Sequence, residues 1–323
     1  MNIINGSIPA APNEYWSSTE VSNNSAWSIG WNNFNLNHNN SKSNDRNVIA
    51  FSAYVLTIKS NINTSFIISF TNNNDEQVTK QVKIGDNTVN IKVGTQITVT
   101  PNAIGNLVAE PQTFTWTGFR HECSFAFAMD AGVYIQHVNG SLYTESEWTA
   151  GGYANSDANG VALLSETAPA FVIAKADASS SKLRWGGYGK TVPDIVTTDT
   201  RSVAVLDFDG ASNTTKIINF LAGTNDGYVD GAPAAEACAN YTFPSGQKGY
   251  LPTAGEWKAA YDNKSAVVSA MSLIGGTAIR GSNYWSSTQY NNNVCWSQAW
   301  FNGNLNNSGK HDAYTDVRAF SAV

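Results

Sequence analysis

The hydrophobic rhythm of the chain changes from one region to the next. Between residues 54 and 117, apolar and polar positions alternate in the short runs YVLTIKS, TSFIISFT, QVTKQVKI, NTVNIKV, TQITVT and TFTWTG. A period of two sends alternate side chains to opposite faces, one into a core and one into water. The signals Asn73-Asn74-Asp75, Gly85-Asp86-Asn87 and Pro101-Asn102 punctuate these runs, as residues suited to tight turns do. Six or seven short strands at this spacing predict an all-β, immunoglobulin-like sandwich over 54–117. No cluster of reactive side chains falls inside it, so its expected role is a spacer.

Residues 118–323 read as a larger α+β domain. Strand-like runs come first, among them GVYIQHV and FVIAKA, with Trp148 and Trp185 near the turns. The spacing then predicts a helix around Asn213 to Leu221, where Ile217, Ile218 and Leu221 share a face. A second helix is predicted over Pro252 to Tyr261, with Thr253 as N-cap and Glu256 three residues on, the signature of a capping box.

The last forty residues occur twice. Tyr284–Ala322 (YWSSTQYNNNVCWSQAWFNGNLNNSGKHDAYTDVRAFSA) aligns without a gap on Tyr15–Ala53 (YWSSTEVSNNSAWSIGWNNFNLNHNNSKSNDRNVIAFSA) at an offset of 269, with 19 of 39 positions identical. The shared residues include Tyr284, Trp285, Ser286, Ser287, Thr288, Trp296, Trp300, Leu305, Val317, Ala319, Phe320 and Ser321. These are types that fill cores and tight turns. The differing positions pair unlike side chains: Val21 with Tyr290, Asn32 with Phe301, Phe34 with Gly303, Asp45 with Tyr314, Ile49 with Arg318. A buried site accepts Phe in one copy and Gly in the other only through a cavity or clash costing ~2–5 kcal/mol. The differing positions are therefore expected at the surface. The candidate ligand-binding set is Tyr290, Asn291, Asn293, Val294, Gln298, Phe301, Gly303, Asn307, Lys310, His311, Asp312, Tyr314, Thr315, Asp316 and Arg318. Residues 1–53 hold the first copy without the helical sequence that precedes the second. Forty Asn-rich residues bury too little apolar surface to fold alone. They must dock on this chain, add to another subunit, or complete a domain whose beginning is missing, with Trp16, Trp27 and Trp31 as anchors.

The YWSST segment resembles the variable region of proteins diversified by retroelements, and the ending of lectin-like bacterial adhesin domains. GYLPTAGEWKAAYD resembles the LPT-x-x-EW helix start of lectin-like and formylglycine-generating-enzyme-like domains. Carried by these two motifs, the resemblance covers roughly the last 200 residues. The resemblance implies a C-type lectin-like fold for 118–323, with variable positions of 284–322 gathered on one face. In that family, Asn codons of a template are miscopied while codons free of adenine persist. The many Asn pairings between the two copies fit this.

Composition narrows the function classes. Charged residues make up 14% and the net charge is −6, so nothing here would neutralise a nucleic-acid backbone. The cysteines Cys123, Cys238 and Cys295 have no metal or redox spacing. Met1–Pro12 has neither the charged start nor the apolar stretch of a signal peptide. No apolar run reaches the ~18 residues of a membrane span. Asn155, Asp157, Asn159, Gly160 and Glu166 fall on calcium-loop spacing, yet glycines and Pro169 flank them instead of helices. The competing reading is a polar turn followed by a strand, and neither a resident metal nor a cofactor is expected. The histidines His38, His121, His137 and His311 are scattered, and no nucleophile–base pairing is visible. Exposed aromatics among Asn, Ser and Gly suit adaptable recognition. The expectation is a non-catalytic receptor-binding protein, a phage fibre or surface adhesin meeting a bacterial surface protein or glycan. It would sit on a virion or a cell surface and form a homo-oligomer, a trimer foremost, for avidity. The alternative is a virion decoration or pilus subunit whose repeat mediates assembly.

Overall fold

The computed structural model describes residues 14–22, 25–30, 36–41 and 55–323, except 73–74, 90, 105–106 and 119; of residues before 55, only the strand backbones are described. Trp31, Phe34, Asp45 and Ile49 lie outside the described residues. The chain is mostly β, with several sheets and few helices.

The first repeat contributes β1 (Glu14–Ser22), β2 (Ser25–Gly30) and β3 (Leu36–Ser41), an antiparallel sheet in the order β1-β2-β3. Seven strands come after it: β4 (Val55–Ser60), β5 (Phe66–Thr71), β6 (Gln77–Val82), β7 (Gly85–Thr88), β8 (Gln96–Pro101), β9 (Gln112–Thr115) and β10 (His121–Phe125). They form two sheets, β10-β4-β7 and β6-β5-β8-β9. The alternation seen in the sequence sends Leu56 and Ile58 from one sheet, and Phe66, Ile68, Ile97 and Val99 from the other, into a shared core around Trp116. Two details differ from expectation. Gly85-Asp86-Asn87 lies inside β7, and β10 pairs parallel to β4, which carries the sandwich past 117 to Phe125. Asn63 ties this unit to the 165–167 turn, donating from its backbone to Ser165 O at 2.6 Å and from its amide to Thr167 O at 2.8 Å.

The remaining elements are β11 (Gly132–His137), β12 (Leu142–Tyr143), α1 (Glu145–Gly151), β13 (Ala158–Leu164), β14 (Phe171–Ala174), α2 (Arg201–Ala204), α3 (Gly210–Leu221), α4 (Pro233–Asn240), α5 (Ala254–Asp262), α6 (Lys264–Leu273), β15 (Asn283–Gln289), β16 (Val294–Ala299), β17 (Leu305–Gly309) and β18 (Phe320–Ala322). Five strands in the order β12-β11-β13-β14-β18 make the central sheet. Its inner strand β13 is buried on both faces, which explains an apolar run without alternation. Val161 and Leu163 meet Trp257, Ala260 and Met271 of α5 and α6, whereas Ala162 and Leu164 share a core with Ile217, Leu221 and Cys238 of α3 and α4. The predicted capping box starts α5: Thr253 accepts from Glu256 N at 3.1 Å, and Glu256 accepts from Thr253 N at 2.7 Å. The last sheet, β15-β16-β17, lies beside this core.

The calcium-loop residues do not converge. Asn155 and Asp157 belong to a short 3-10 turn, and Asp157 accepts from Ala154 N. Asn159 is buried in β13, donating to Gln136 Oε1 at 2.6 Å and accepting from Ser245 N. Glu166 is exposed beyond the far end of that strand, about 20 Å away at ~3.3 Å per residue. The turn-then-strand reading replaces the metal loop here. Among the described residues, no helix is long and apolar enough to cross a membrane.

Cys123, Cys238 and Cys295 are free and buried. Burial pushes the Cys123 thiol up to about 11 and Cys295 up to about 12. Thiolate is the reactive species, so the native chain should resist an aromatic disulfide reagent at mildly alkaline pH, and all 3 thiols should react once guanidinium is added. Rapid modification without denaturant would contradict this packing.

Candidate recognition surface

The YWSST motif is where β15 leaves its neighbour and bonds to the rest of the domain. Its pairing with β16 is regular from Asn283 to Trp285 and resumes at Gln289. The interval between is used otherwise. Ser287 N donates to Pro252 O at 2.8 Å, and Ser286 Oγ donates to Trp296 O at 2.9 Å. Thr288 Oγ1 donates to Asp207 Oδ2 at 2.7 Å while accepting from Ala254 N at 3.0 Å. The indoles are also anchored: Trp285 donates to Leu183 O at 2.8 Å, Trp296 to Thr198 O at 2.9 Å, Trp257 to Trp285 O at 3.0 Å and Trp185 to Ser286 O at 2.9 Å. A buried indole N–H left unpaired is costly, so each tryptophan ties one segment of the domain to another as well as filling space. Every shared residue named above for the second copy is buried.

The differing positions divide. Phe301 (58% exposed) and Tyr314 (77% exposed) stand in solvent, as do Asn291 and Asn307, while Tyr290, Val294, Gly303, His311 and Asp312 are half-buried, as is Asn293, the one candidate that both copies share (Asn24). Gln298, Lys310, Thr315, Asp316 and Arg318 are buried, which corrects the expectation that they face outward. Each long polar chain is paired inside with irregular backbone. Lys310 Nζ donates to Lys190 O and Gln289 Oε1, both at 2.7 Å, and lies 4.6 Å from the Trp185 ring centre. Its burial pulls the ammonium below the usual lysine range. Arg318 Nε donates to Asp177 Oδ1 at 2.8 Å, and its two terminal nitrogens bond Thr277 O at 3.0 Å and Thr277 Oγ1 at 3.1 Å. Asp316 accepts from Arg280 at 3.1 Å and from Ser282 Oγ. Thr315 bridges Leu183, and Gln298 Nε2 donates to Ala299 O at 3.3 Å.

Nor do the accessible positions share one face. The β15–β16 turn (290–293) and the stretch after β17 (310–314) adjoin, because Val294 pairs with Gly309 and Lys310 N donates to Asn293 O at 2.9 Å. Phe301 and Gly303 lie in the β16–β17 turn at the other end of the sheet. Six residues of β16 separate these ends, about 20 Å at ~3.3 Å per residue.

The first end gathers three rings from three distant loops. His311 lies 4.6 Å from Tyr188 and 4.9 Å from Tyr228, centre to centre, and the two tyrosines are 5.4 Å apart. Two side chains hold the loops in place. Asp226 accepts from Tyr188 N at 2.8 Å and from Tyr228 N and Val229 N at 2.9 Å, and Arg184 Nε donates to His311 O at 2.8 Å. The three amides lower the Asp226 carboxyl against a rise from burial. Asn291 turns the adjoining loop by accepting from Asn293 N and Val294 N. Tyr188, Tyr228, Arg184 and Asp226 were missed in the sequence. Their available signal was a tyrosine set among glycines, Gly186-Gly187-Tyr188-Gly189 and Asp226-Gly227-Tyr228. The other end is an apolar groove of ≈ 400 Å³ lined by Val268, Met271, Ile279 and Trp300, with Phe301 at its rim.

No protein-family model and no curated protein sequence matches this chain. One solved structure, a fimbrial protein from Bacteroides ovatus, is similar over 93% of this chain and 75% of its own, at 12% identity and a TM-score of 0.46. A likeness this coarse carries no statement about function.

Proposed function

We propose that the chain is a non-catalytic surface-recognition protein whose terminal domain, of C-type lectin kind, meets a bacterial cell-surface glycan or protein through the end bearing Tyr188, Tyr228 and His311. The supporting observation is the side-chain pinning of three loops around three rings, one of them, Tyr228, 51% exposed. Rigid aromatic rings offer contact area at little entropic cost, and loops fixed beforehand need no ordering on binding. Asn291, Asn293, Asp312 and Tyr314 flank the rings with amide, carboxylate and phenol groups that set specificity, and they are the positions where diversification acts. Phe301 and Gly303 belong to a separate surface. The protein works outside the cell, on a virion or a bacterial surface, as a trimer whose repeated sites multiply a weak single contact.

Tyr228→Ala tests this reading. The ring is half in water, so the fold should tolerate its loss, and an aromatic hot spot is worth ~2 kcal/mol or more. Binding to intact bacteria or a surface-glycan array should weaken at least ~10-fold, with unfolding unchanged. Equal binding by the variant removes this end of the domain from the proposal. A wild-type chain that binds no cell or glycan removes the recognition role itself.

A further inference from the structure

We propose that residues 15–53, whose described part is the sheet β1-β2-β3, are the closing segment of a second framework of the same kind as residues 126–282, one with a small residue in place of Tyr261 and an apolar residue in place of Asp177.

The first two strands of each copy pair alike, whereas β3 departs by one residue at its end: Ser25 pairs with Ser41, although the offset from Val294–Gly309 would give Asn40. Tyr15 pairs with Ile29 and Trp16 with Ser28 in β1–β2, as Tyr284 pairs with Gln298 and Trp285 with Ser297 in β15–β16. The interruption also recurs: pairing resumes at Glu20–Ala26 in one sheet and at Gln289–Cys295 in the other, the same positions after the offset of 269. The sequence identity therefore marks one hairpin, β1–β2 and β15–β16, used twice.

The residues kept in the first copy are those that bind a framework. Trp285, Thr288 and Trp296 spend their polar atoms on Leu183, Asp207 and Thr198, none of which belongs to the sheet. Their counterparts Trp16, Thr19 and Trp27 are unchanged. A three-stranded sheet standing alone has no use for such groups, and is marginal in water without something to pack on.

Among the residues that changed are several where the terminal framework is selective. Gly303 has φ +79°, and a Cβ placed on it would run into the Tyr261 ring; the first copy has Phe34 there. Arg318 compensates Asp177, whose side chain is only 7% exposed; the first copy has Ile49. The buried pair Gln289–Lys310 becomes Glu20 and Ser41, which removes the cation and adds an anion. Placed in the terminal framework, the first copy would meet a steric clash, a carboxylate left only the half-exposed Arg280 as counter-charge, and a buried anion together. It is specified for another framework, and this chain's own one excludes it.

The test grafts the sequence of residues 15–53 onto positions 284–322 of the full chain. The graft should lower the unfolding temperature of the terminal domain by at least ~10 °C, and adding Tyr261→Gly with Asp177→Val should recover half of that loss or more. A graft as stable as the parent overturns the proposal, because the frameworks would be interchangeable. A graft that the two changes do not improve overturns the assignment of Tyr261 and Asp177. Should the graft not fold at all, the same pairs are read in the parent chain. Gly303→Phe should be less harmful with Tyr261→Gly than without it, and Arg318→Ile less harmful with Asp177→Val than without it; simple additivity in both pairs overturns the proposal. Trp16→Ala in the parent should leave terminal-domain unfolding unchanged. A fall there would show that the first copy packs on its own chain. None of these readouts depends on ligand binding, so they stand apart from the recognition role.

Discussion

Arg318→Ala should cost the terminal domain about 3–5 kcal/mol, the range found when one partner of a buried ion pair is removed. The side chain is fully buried and bonds Asp177, Thr277 O and Thr277 Oγ1. Truncation opens a cavity and leaves the Asp177 carboxylate with the Tyr284 hydroxyl, which donates to it at 3.3 Å, and with Arg280, at 3.4 Å and half exposed to water. The anion, stripped of its buried cation, costs more than the cavity, since an under-compensated buried charge outweighs the lost contacts. Asp177→Asn should therefore restore part of the loss, and a double-mutant cycle should give a coupling above ~1 kcal/mol. Denaturant midpoints measure all three variants. A loss below ~1 kcal/mol for Arg318→Ala would mean that water reaches Asp177 and that the clamp on the 277–280 loop is dispensable.

The same side chain shows where the sequence is legible and where it is not. Local signals were readable: the Thr253–Glu256 capping box needs only four consecutive residues, and it starts a helix at Ala254. Alternation in the first sandwich sheet was readable because one face is wet, whereas β10 escaped notice as a short strand of mixed polarity, HECSF. The repeat identified the buried scaffold correctly, since tryptophans and small residues that survive in both copies are those that pack. The inference from difference to exposure failed at Lys310 and Arg318. Their partners lie far away in sequence, at Lys190 and Asp177, and nothing local distinguishes a paired buried cation from a solvated one. Tyr188 and Tyr228 were missed for the converse reason. Each sits alone in a Gly-rich loop, and only the fold brings them to His311.

Stability should fall as pH rises from about 4.5 to about 8, opposite to a protein held by ionised carboxylates. Glu256 is the cause. It is buried beside Tyr250, and burial, aided by the nearby Asp207 charge, pushes its carboxyl up from an ordinary 4.5 to about 8. The hydrogen bonds oppose that rise: Oε2 accepts from Thr253 N at 2.7 Å and Thr253 Oγ1 at 3.2 Å, and Oε1 accepts from the Tyr250 hydroxyl at 2.8 Å. When Oε1 carries the proton, the Tyr250 contact reverses and the acid donates to the phenol oxygen. Between the two pKa values the folded chain keeps a proton that the unfolded chain has released. The stabilisation is complete below about 4.5 and is lost as pH climbs through about 8, with a slope of up to ~1.4 kcal/mol per pH unit. Asp207, also raised by burial, acts in the same direction. Glu256→Gln copies the protonated acid: its amide nitrogen can donate to Tyr250 and its oxygen can accept from Thr253. The variant should flatten the profile and match or exceed wild type at the alkaline end of the window. Urea midpoints taken across the window measure both chains. A wild-type profile that is flat or rises with pH, or a variant that keeps the wild-type slope, would place the Glu256 proton elsewhere.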